Sequence, residues 1–126
     1  MDAAARRKVL GLVGLGIRGR RAVVGVQQVR DAARRGRLKL ALIASDASQN
    51  SMDKVVPLLT ARSVTIVEGF KSEELAASCG RESVSVLGVL DAGLARGIRE
   101  AAPESVMSGA GGGDKPRVVR NQGGRV

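Results

Sequence analysis

Hydrophobic positions along the first hundred residues follow two spacings, one typical of helices and one typical of strands. Val9, Val13 and Ile17 would share one face of a helix, whereas residues 38–44 form an almost continuous apolar run that only Lys39 interrupts. This pattern predicts helices at about residues 3–17, 25–35, 49–61, 72–79 and 92–101, and strands at about residues 22–24, 38–44, 64–68 and 84–90. Helices and strands therefore alternate along the chain.

Residues typical of helix ends lie at several of these boundaries. Gly36 stands where a glycine often ends a helix. Ser48, Ser72 and Asp91 each precede a predicted helix, and their side-chain oxygens are suited to accept hydrogen bonds from its first N–H groups. Pro57 lies inside the third predicted helix and has no N–H, so it predicts a kink or an early stop.

The alternation of strands with helices of about ten residues favours a sheet covered on both faces. We therefore predict an α/β fold, a three-layer α/β/α sandwich with a four-stranded mixed sheet. Hydrophobic residues make up 44% of the chain and Phe70 is the only aromatic residue, so the core must consist of Leu, Val, Ile and Ala. We assign residues 1–102 to this domain and predict that residues 103–126, which are basic and rich in glycine, form a disordered tail.

Positive charge limits the class of partner. The 21 Lys and Arg residues outnumber the 12 Asp and Glu residues, which gives a net charge of +9. A balance of this kind indicates a polyanionic partner, nucleic acid first and an anionic membrane surface second. Most of the basic residues are arginine, whose guanidinium forms forked hydrogen bonds with phosphate. Charge alone does not choose between RNA, DNA and lipid.

The chain offers little for catalysis or for metal binding. Histidine is absent and Cys79 is the single cysteine, which excludes serine–histidine and cysteine–histidine catalysis within this chain and a cysteine cluster for zinc. We expect no enzyme activity, no cofactor and no bound metal. No apolar run approaches the roughly 20 residues that a spanning helix needs, and we predict no signal peptide, so the cytoplasm is the expected location.

One glycine motif suggests a different function. Gly14, Gly16 and Gly19 match the dinucleotide-binding pattern G-x-G-x-x-G. That motif needs a strand before it and a helix opening from it, whereas Gly19 leads into Arg20 and Arg21 and then a short extended segment. We therefore interpret the glycines as the end of a helix and a turn, and keep nucleotide binding by residues 14–19 as an alternative.

Three stretches carry a family resemblance. Gly14-Leu15 is followed, across a basic turn, by Val23-Val24-Gly25. Residues 35–50 read RGRLKLALIASDASQN, and residues 80–95 read Gly-Arg-Glu, then a strand, then Asp-Ala-Gly-Leu-Ala. In this order and spacing they resemble the kink-turn RNA-binding ribosomal protein superfamily, of the archaeal L7Ae and eukaryotic L30e type, and in particular its small bacterial YlxQ-like branch. The resemblance spans roughly residues 6–99 and implies the same α/β/α sandwich.

The resemblance also implies a site. Members of the superfamily bind kink-turns, which are sharply bent RNA elements with tandem sheared G·A pairs. The start of the second helix would read those bases and lie against phosphate, and a loop before the last strand, here residues 80–84, would pack against a flipped-out nucleotide. The implied RNA contacts are Arg18, Arg20, Arg21, Gly25, Gln27, Gln28, Arg30, Arg34, Arg81, Glu82 and Val84.

This chain departs from the family pattern at the helix start. The family has glycine, any residue, asparagine, glutamate, two further residues and then lysine. Gly25 matches, Gln27 and Gln28 stand at the asparagine and glutamate positions, and Asp31 stands at the lysine position. Both amides can donate to and accept from base edges, but Asp31 replaces a cation with an anion beside the RNA.

We therefore expect a non-enzymatic ribonucleoprotein of the translation machinery. Its partner would be ribosomal RNA, another structured RNA or the ribosome itself; we expect neither a membrane nor a small-molecule substrate. The alternative is a protein–protein interaction module on the same fold that has lost specific RNA recognition, which Asp31 favours.

Overall fold

A computed structural model describes residues 1–107, and it contains every helix and strand that the sequence predicts. The helices are α1 (Ala3–Arg18), α2 (Val26–Arg34), α3 (Gln49–Ala61), α4 (Ser72–Cys79) and α5 (Ala92–Ala101). The strands are β1 (Ala22–Val24), β2 (Leu40–Ile43), β3 (Thr65–Val67), β4 (Val86–Val89) and β5 (Val106–Met107), and a short 3-10 turn (Pro103–Ser105) precedes β5.

The strands form one mixed sheet in the order β1-β4-β2-β3-β5. Strands β2 and β3 are parallel, and β4 runs antiparallel to both β1 and β2. The predicted α/β/α sandwich with a mixed sheet is confirmed. The two-residue strand β5 adds to the four predicted strands and pairs antiparallel with β3.

The sheet continues past the predicted domain boundary at residue 102. Residues 103–107 turn back onto the edge of β3, where the Glu68 N–H donates to the Ser105 carbonyl at 2.9 Å. The remainder of the predicted disordered tail, residues 108–126, lies outside the described residues.

Two apolar clusters cover the two faces of the sheet. Because side chains alternate along a strand, Leu40 and Leu42 of β2 pack with α1, α4 and α5, whereas Ala41 and Ile43 pack with α2 and α3. Phe70 is 1% exposed, and the guanidinium carbon of Arg6 lies 5.0 Å from the centre of its ring. Apart from Phe70, the core is aliphatic, as the composition predicts.

Most of the predicted helix ends are confirmed. The Ser48 hydroxyl accepts from the Ser51 N–H at 3.1 Å, the Asp91 carboxylate accepts from the Leu94 N–H at 2.8 Å, and Gly36 has a φ of 70°. The prediction that Ser72 caps α4 is wrong, because Lys71 holds that position. The early stop at Pro57 is also wrong, since α3 continues to Ala61.

The glycine motif lies at a helix-packing surface. Gly14 and Gly16 are inside α1 and Gly19 follows its last residue, so these glycines do not form the strand–turn–helix geometry of a dinucleotide site. A Cβ on Gly16 would lie 3.2 Å from the Ala22 Cβ and 3.3 Å from the Leu94 Cδ1. Gly16 therefore lets α1 approach β1 and α5 closely. The predicted helix end and turn lie at Gly19.

Within residues 1–107, none of the helices combines the length and the apolar character needed to cross a bilayer.

Candidate nucleic-acid interface

Helix α2 follows its N-cap residue Gly25 and begins with free N–H groups. The Gly25 N–H donates to the Val86 carbonyl at 2.9 Å, and the Gly25 carbonyl accepts from the Val29 N–H at 3.0 Å. No side chain within residues 1–107 caps this helix, so the N–H groups of its first turn lack a partner within the helix. Gly25 has a φ of 104°, a backbone conformation that glycine adopts without strain. The helix start is thus an exposed set of donors at the positive end of a helix dipole.

The loop of residues 80–85 lies next to this helix start. It leads into β4, and Val86, the first residue of β4, accepts the hydrogen bond from Gly25. Arg81 and Glu82 are exposed, as the predicted RNA contacts require. Val84 differs, because its side chain is 2% exposed and packs in the apolar cluster with α4. The predicted contact of the Val84 side chain with RNA therefore does not fit the structure.

A small polar network covers the outer face of α2. Gln27 and Gln28 are both exposed. The Gln27 Nε2 donates to the Asp31 Oδ1 at 3.0 Å, and the Arg34 Nη1 lies 3.6 Å from the same oxygen. Asp31 is therefore held between an amide and a guanidinium, which offset part of its negative charge.

Arg30 and Arg62 connect α2 with α3. The Arg30 guanidinium donates to the Lys54 carbonyl, so this side chain turns towards α3 and not towards the helix start where RNA contact was predicted. The Arg62 Nη1 donates to the Ala33 carbonyl at 3.2 Å and to the Arg34 carbonyl at 3.1 Å, at the C-terminal end of α2. Arg62 is not among the predicted contacts, because its partners lie 28 and 29 residues away in the sequence.

The structure separates Arg18, Arg20 and Arg21 from Gly25. These arginines precede β1, whereas Gly25 follows it, and three residues of strand span roughly 10 Å. The Arg21 Nη1 lies 3.5 Å from the Asp91 Oδ1, beside the end of β4. The predicted site therefore divides into two groups. One group is the start of α2 with Arg81 and Glu82, and the other consists of the arginines before β1, with Arg34 at the far end of α2.

Asp46 contributes a contact at the same end of the sheet as Gly25. It lies in the turn after β2, whose last residue, Ile43, pairs with Val86. The Asp46 carboxylate accepts from the Ser72 N–H at 2.8 Å and from the Ser72 hydroxyl at 3.0 Å. These hydrogen bonds, the one from the N–H above all, lower the pKa of Asp46 below its ordinary value. Asp46 and Ser72 lie 26 residues apart, so no local pattern predicts this contact.

Cys79, at the end of α4, has no feature of a reactive thiol. It is half-buried, and this burial raises the pKa of its thiol above the ordinary value. A thiol of this kind stays protonated at neutral pH and behaves as a small apolar side chain.

Comparisons with known proteins agree on one family. Residues 7–99 match the model of the "Ribosomal protein L7Ae/L30e/S12e/Gadd45 family". The chain is 28% identical to the "RNA-binding protein YlxQ" of Enterococcus faecium over 100 residues, which cover 79% of this chain and 96% of that protein.

Solved structures give the same result for the fold. A protein of unknown function from Bacillus halodurans C is similar, with a TM-score of 0.72 and 27% identity, over 76% of this chain and 97% of that one. A Giardia lamblia 15.5kD RNA binding protein has a TM-score of 0.69 and 18% identity, over 83% of this chain and 90% of that one. At that identity the second likeness concerns the fold alone.

Proposed function

Since the chain belongs to the ribosomal protein L7Ae/L30e/S12e/Gadd45 family, we propose that it binds structured RNA, of kink-turn type, as a ribosome-associated protein. The contact surface consists of the start of α2 and the loop of residues 80–85, which we call the glycine end. No catalytic step is part of this function. The relative from Enterococcus faecium is named an RNA-binding protein, and this name supports RNA as the class of partner.

The observation that carries the proposal is the uncapped start of α2. Its free N–H groups and the positive end of its dipole suit an anionic ligand such as RNA phosphate. Because Gly25 has no side chain and a Cβ there would meet no described atom within 4 Å, the RNA backbone can approach closely. The net charge of +9 adds long-range attraction for a polyanion.

Two amides supply the base-reading part of the proposal. Gln27 and Gln28 lie in the first turn of α2 and are exposed. Each amide has both donors and an acceptor, so the pair can form hydrogen bonds with the edges of sheared G·A pairs. The neighbouring loop exposes Arg81 and Glu82. These two side chains would contact the nucleotide that is flipped out of the RNA helix.

A second candidate function is a protein–protein interaction module on this fold. Asp31 favours it, because a carboxylate on the outer face of α2 repels phosphate and suits a basic or polar protein surface. Its contacts with Gln27 and Arg34 reduce this repulsion, so we keep RNA binding as the first proposal.

The experiment that tests the proposal compares two RNAs. A fluorescent kink-turn RNA and a straight duplex of the same length are titrated with the full chain at low and at physiological salt. We expect tighter binding to the kink-turn at both salt concentrations. Equal affinity for the two RNAs, lost steeply with salt, would contradict kink-turn recognition, because charge alone would then account for binding.

A pair of variants locates the contact on α2. We expect Gln27→Ala with Gln28→Ala to weaken kink-turn binding about 10- to 30-fold, since each lost hydrogen bond costs about 1 kcal/mol. Gln49→Ala is a matched control. Gln49 also lies in a first turn, and its Nε2 donates to the Asp53 Oδ1 four residues on at 2.7 Å, as Gln27 does to Asp31. An equal loss in this control would show that the effect does not come from the start of α2.

A further inference from the structure

A second cluster of cations lies at the end of the sheet opposite the glycine end. At this end β1 and β2 begin and β4 finishes. The exposed basic residues here form what we call the basic end: Arg20, Arg21, Arg35, Arg37 and Lys39.

Backbone hydrogen bonds place Arg21 and Lys39 beside β4, and a groove next to the same strand end is lined by Arg35 and Arg37. The Leu90 N–H donates to the Arg21 carbonyl at 2.8 Å, and the Lys39 N–H donates to the Val89 carbonyl at 2.8 Å. Arg21 and Lys39 therefore flank the end of β4 on its two neighbouring strands, roughly 10 Å apart. A groove between α2 and the end of β4 is lined by Val23, Gln28, Asp31, Ala32, Arg35, Arg37 and Leu90. Four of the cations thus lie around the end of β4, and Arg20 is next to Arg21 in the sequence.

Most of this charge has no acidic partner. Arg21 pairs with Asp91 at 3.5 Å. Among residues 1–107, Arg20, Arg35, Arg37 and Lys39 form no ion pair. Like charges gathered on one surface without acidic partners repel one another, and an anionic ligand would relieve this repulsion.

Helix dipoles explain only some of the basic residues in this region. A cation in the last turn of a helix is stabilising, which accounts for Arg18 in α1 and Arg34 in α2. Arg20, Arg37 and Lys39 lie outside the helices. Arg20 also has a φ of 59°, a region where glycine costs less than arginine. Fold stability therefore does not account for these three side chains.

We propose that the basic end is a second RNA-binding surface, which contacts the phosphates of an RNA helix independently of the glycine end. The inference rests on the proposed function for the class of partner, but it uses a different surface. Four of the five cations are arginines, whose planar guanidinium matches phosphate geometry. A lipid surface fits less well, because Leu15 is the only large apolar side chain exposed among the described residues and offers little to insert.

The two surfaces are far enough apart to bind different RNA segments. Helix α2 runs from the glycine end to the basic end, and its nine residues span roughly 13 Å. One protein molecule would then join a bent RNA element at one end to a neighbouring RNA helix at the other.

The first test uses two charge-matched variants of the full chain. One variant carries Arg20→Gln, Arg37→Gln and Lys39→Gln. The control carries Arg7→Gln, Lys8→Gln and Arg99→Gln, which remove the same charge from exposed positions on α1 and α5. Circular dichroism melting confirms that both variants are folded. Affinity for a fluorescent straight RNA duplex is then measured across a range of salt concentrations.

We expect the basic-end variant to bind the duplex about 10- to 100-fold more weakly at low salt. Its plot of log affinity against log salt should lose about one unit of slope for each contacting cation removed. The control should bind as the unchanged protein does. Equal losses in the two variants would overturn the inference, because net charge alone would then determine affinity. Binding to phosphatidylserine vesicles that falls in the basic-end variant, with duplex binding unchanged, would overturn it as well.

A second test asks whether both surfaces act at once. Protein captured on an immobilised kink-turn RNA should take up a labelled straight duplex, and the basic-end variant should be captured equally well but take up little duplex. Duplex uptake that is the same for the two proteins would overturn the inference. If the protein shows no kink-turn preference while only the basic-end variant loses duplex affinity, the proposed function fails and the second surface stands.

Discussion

Asp31 places a negative charge midway along α2, between the two surfaces proposed to bind RNA. Its carboxylate accepts from Gln27 and lies near Arg34, so two groups suited to RNA contact are occupied by a side chain of their own helix. A phosphate that approaches α2 meets both the charge and the competition for these donors. We therefore expect Asp31 to reduce the affinity of α2 for RNA.

Replacing this charge should strengthen RNA binding. We expect Asp31→Asn to raise affinity for the kink-turn RNA about 3- to 10-fold at low salt, with a smaller gain at physiological salt, because screening weakens charge repulsion. Titration at the two salt concentrations measures the effect. Asp53→Asn is the matched control, since Asp53 accepts from Gln49 in α3 as Asp31 does from Gln27. A similar gain in that control would attribute the effect to net charge alone.

Asp46 links stability to pH. Hydrogen bonds from Ser72 hold the pKa of Asp46 below its ordinary value of 3.8. A carboxyl with a lowered folded-state pKa stabilises the protein fully above the ordinary value and loses that contribution as pH falls through the folded-state pKa. Asp46→Asn should therefore lower the melting temperature at pH 7, and its difference from the unchanged protein should shrink as pH falls below about 4.

Melting curves by circular dichroism between pH 7 and pH 2 check this expectation. Ser72→Ala provides a graded comparison. It removes the hydroxyl that donates at 3.0 Å and keeps the N–H that donates at 2.8 Å, so it should reduce the pH dependence only in part. A difference between Asp46→Asn and the unchanged protein that is the same at every pH would show that this carboxylate is not the titrating group.

At the scale of elements, Gly88 in β4 lies at a closely packed point between the sheet and α2. A Cβ at this position would lie 2.5 Å from the Leu38 Cδ1, 3.1 Å from the Val23 Cγ2 and 3.3 Å from the Val29 Cγ2. The first distance is shorter than real Cβ contacts, and the other two are tighter than most, so a larger residue requires Leu38, Val23 and Val29 to shift. Glycine at this position therefore leaves room for three apolar side chains against β4, one of them Val29 of α2.

We expect Gly88→Ala to reduce the free energy of unfolding by about 1–3 kcal/mol, the usual cost of overpacking a core. Urea denaturation followed by circular dichroism measures it. Gly11→Ala is the control, because a Cβ on Gly11, inside α1, would meet no described atom within 4 Å and should add about 0.5–1 kcal/mol of helix propensity. Equal stability of Gly88→Ala and the unchanged protein would mean that the sheet and α2 adjust freely.

Local patterns predicted the elements well because the signals are local. Ser48 and Asp91 hydrogen-bond to residues three positions along the chain, and Gly36 needs only its own backbone angles. Ser72 was misjudged because the side chain that caps α4 from outside, Asp46, lies 26 residues away. Strand β5 escaped prediction because two residues carry no periodicity.

The candidate site was predicted less completely, for the same reason. The sequence places Arg18, Arg20, Arg21 and Gly25 close together, but a strand lies between them. Arg30 points towards α3, and Val84 is buried, and both facts depend on packing between distant segments. The arginines before β1 and Gly25 after it are near in sequence but lie at opposite ends of the sheet.

At the scale of the whole molecule, the sheet separates two kinds of surface. The glycine end offers backbone N–H groups and side-chain amides. Hydrogen bonds from these groups would select an RNA by the positions of its phosphates and base edges. The basic end offers charge, which attracts any nucleic acid and weakens with salt. The antiparallel pairing of β1 with β4 sets this separation, since it places the start of one strand beside the end of the other.

The burial of Phe70 beneath Arg6 has a consequence for the kind of RNA that this protein can select. Phe70 is the only aromatic residue in the chain, and the core encloses it. Many proteins that bind single-stranded RNA stack unpaired bases on exposed aromatic rings, and this stacking provides much of their affinity. A chain whose single ring is enclosed has no such platform. The proposed function therefore requires RNA that is already folded, with its phosphates and base edges in place before binding.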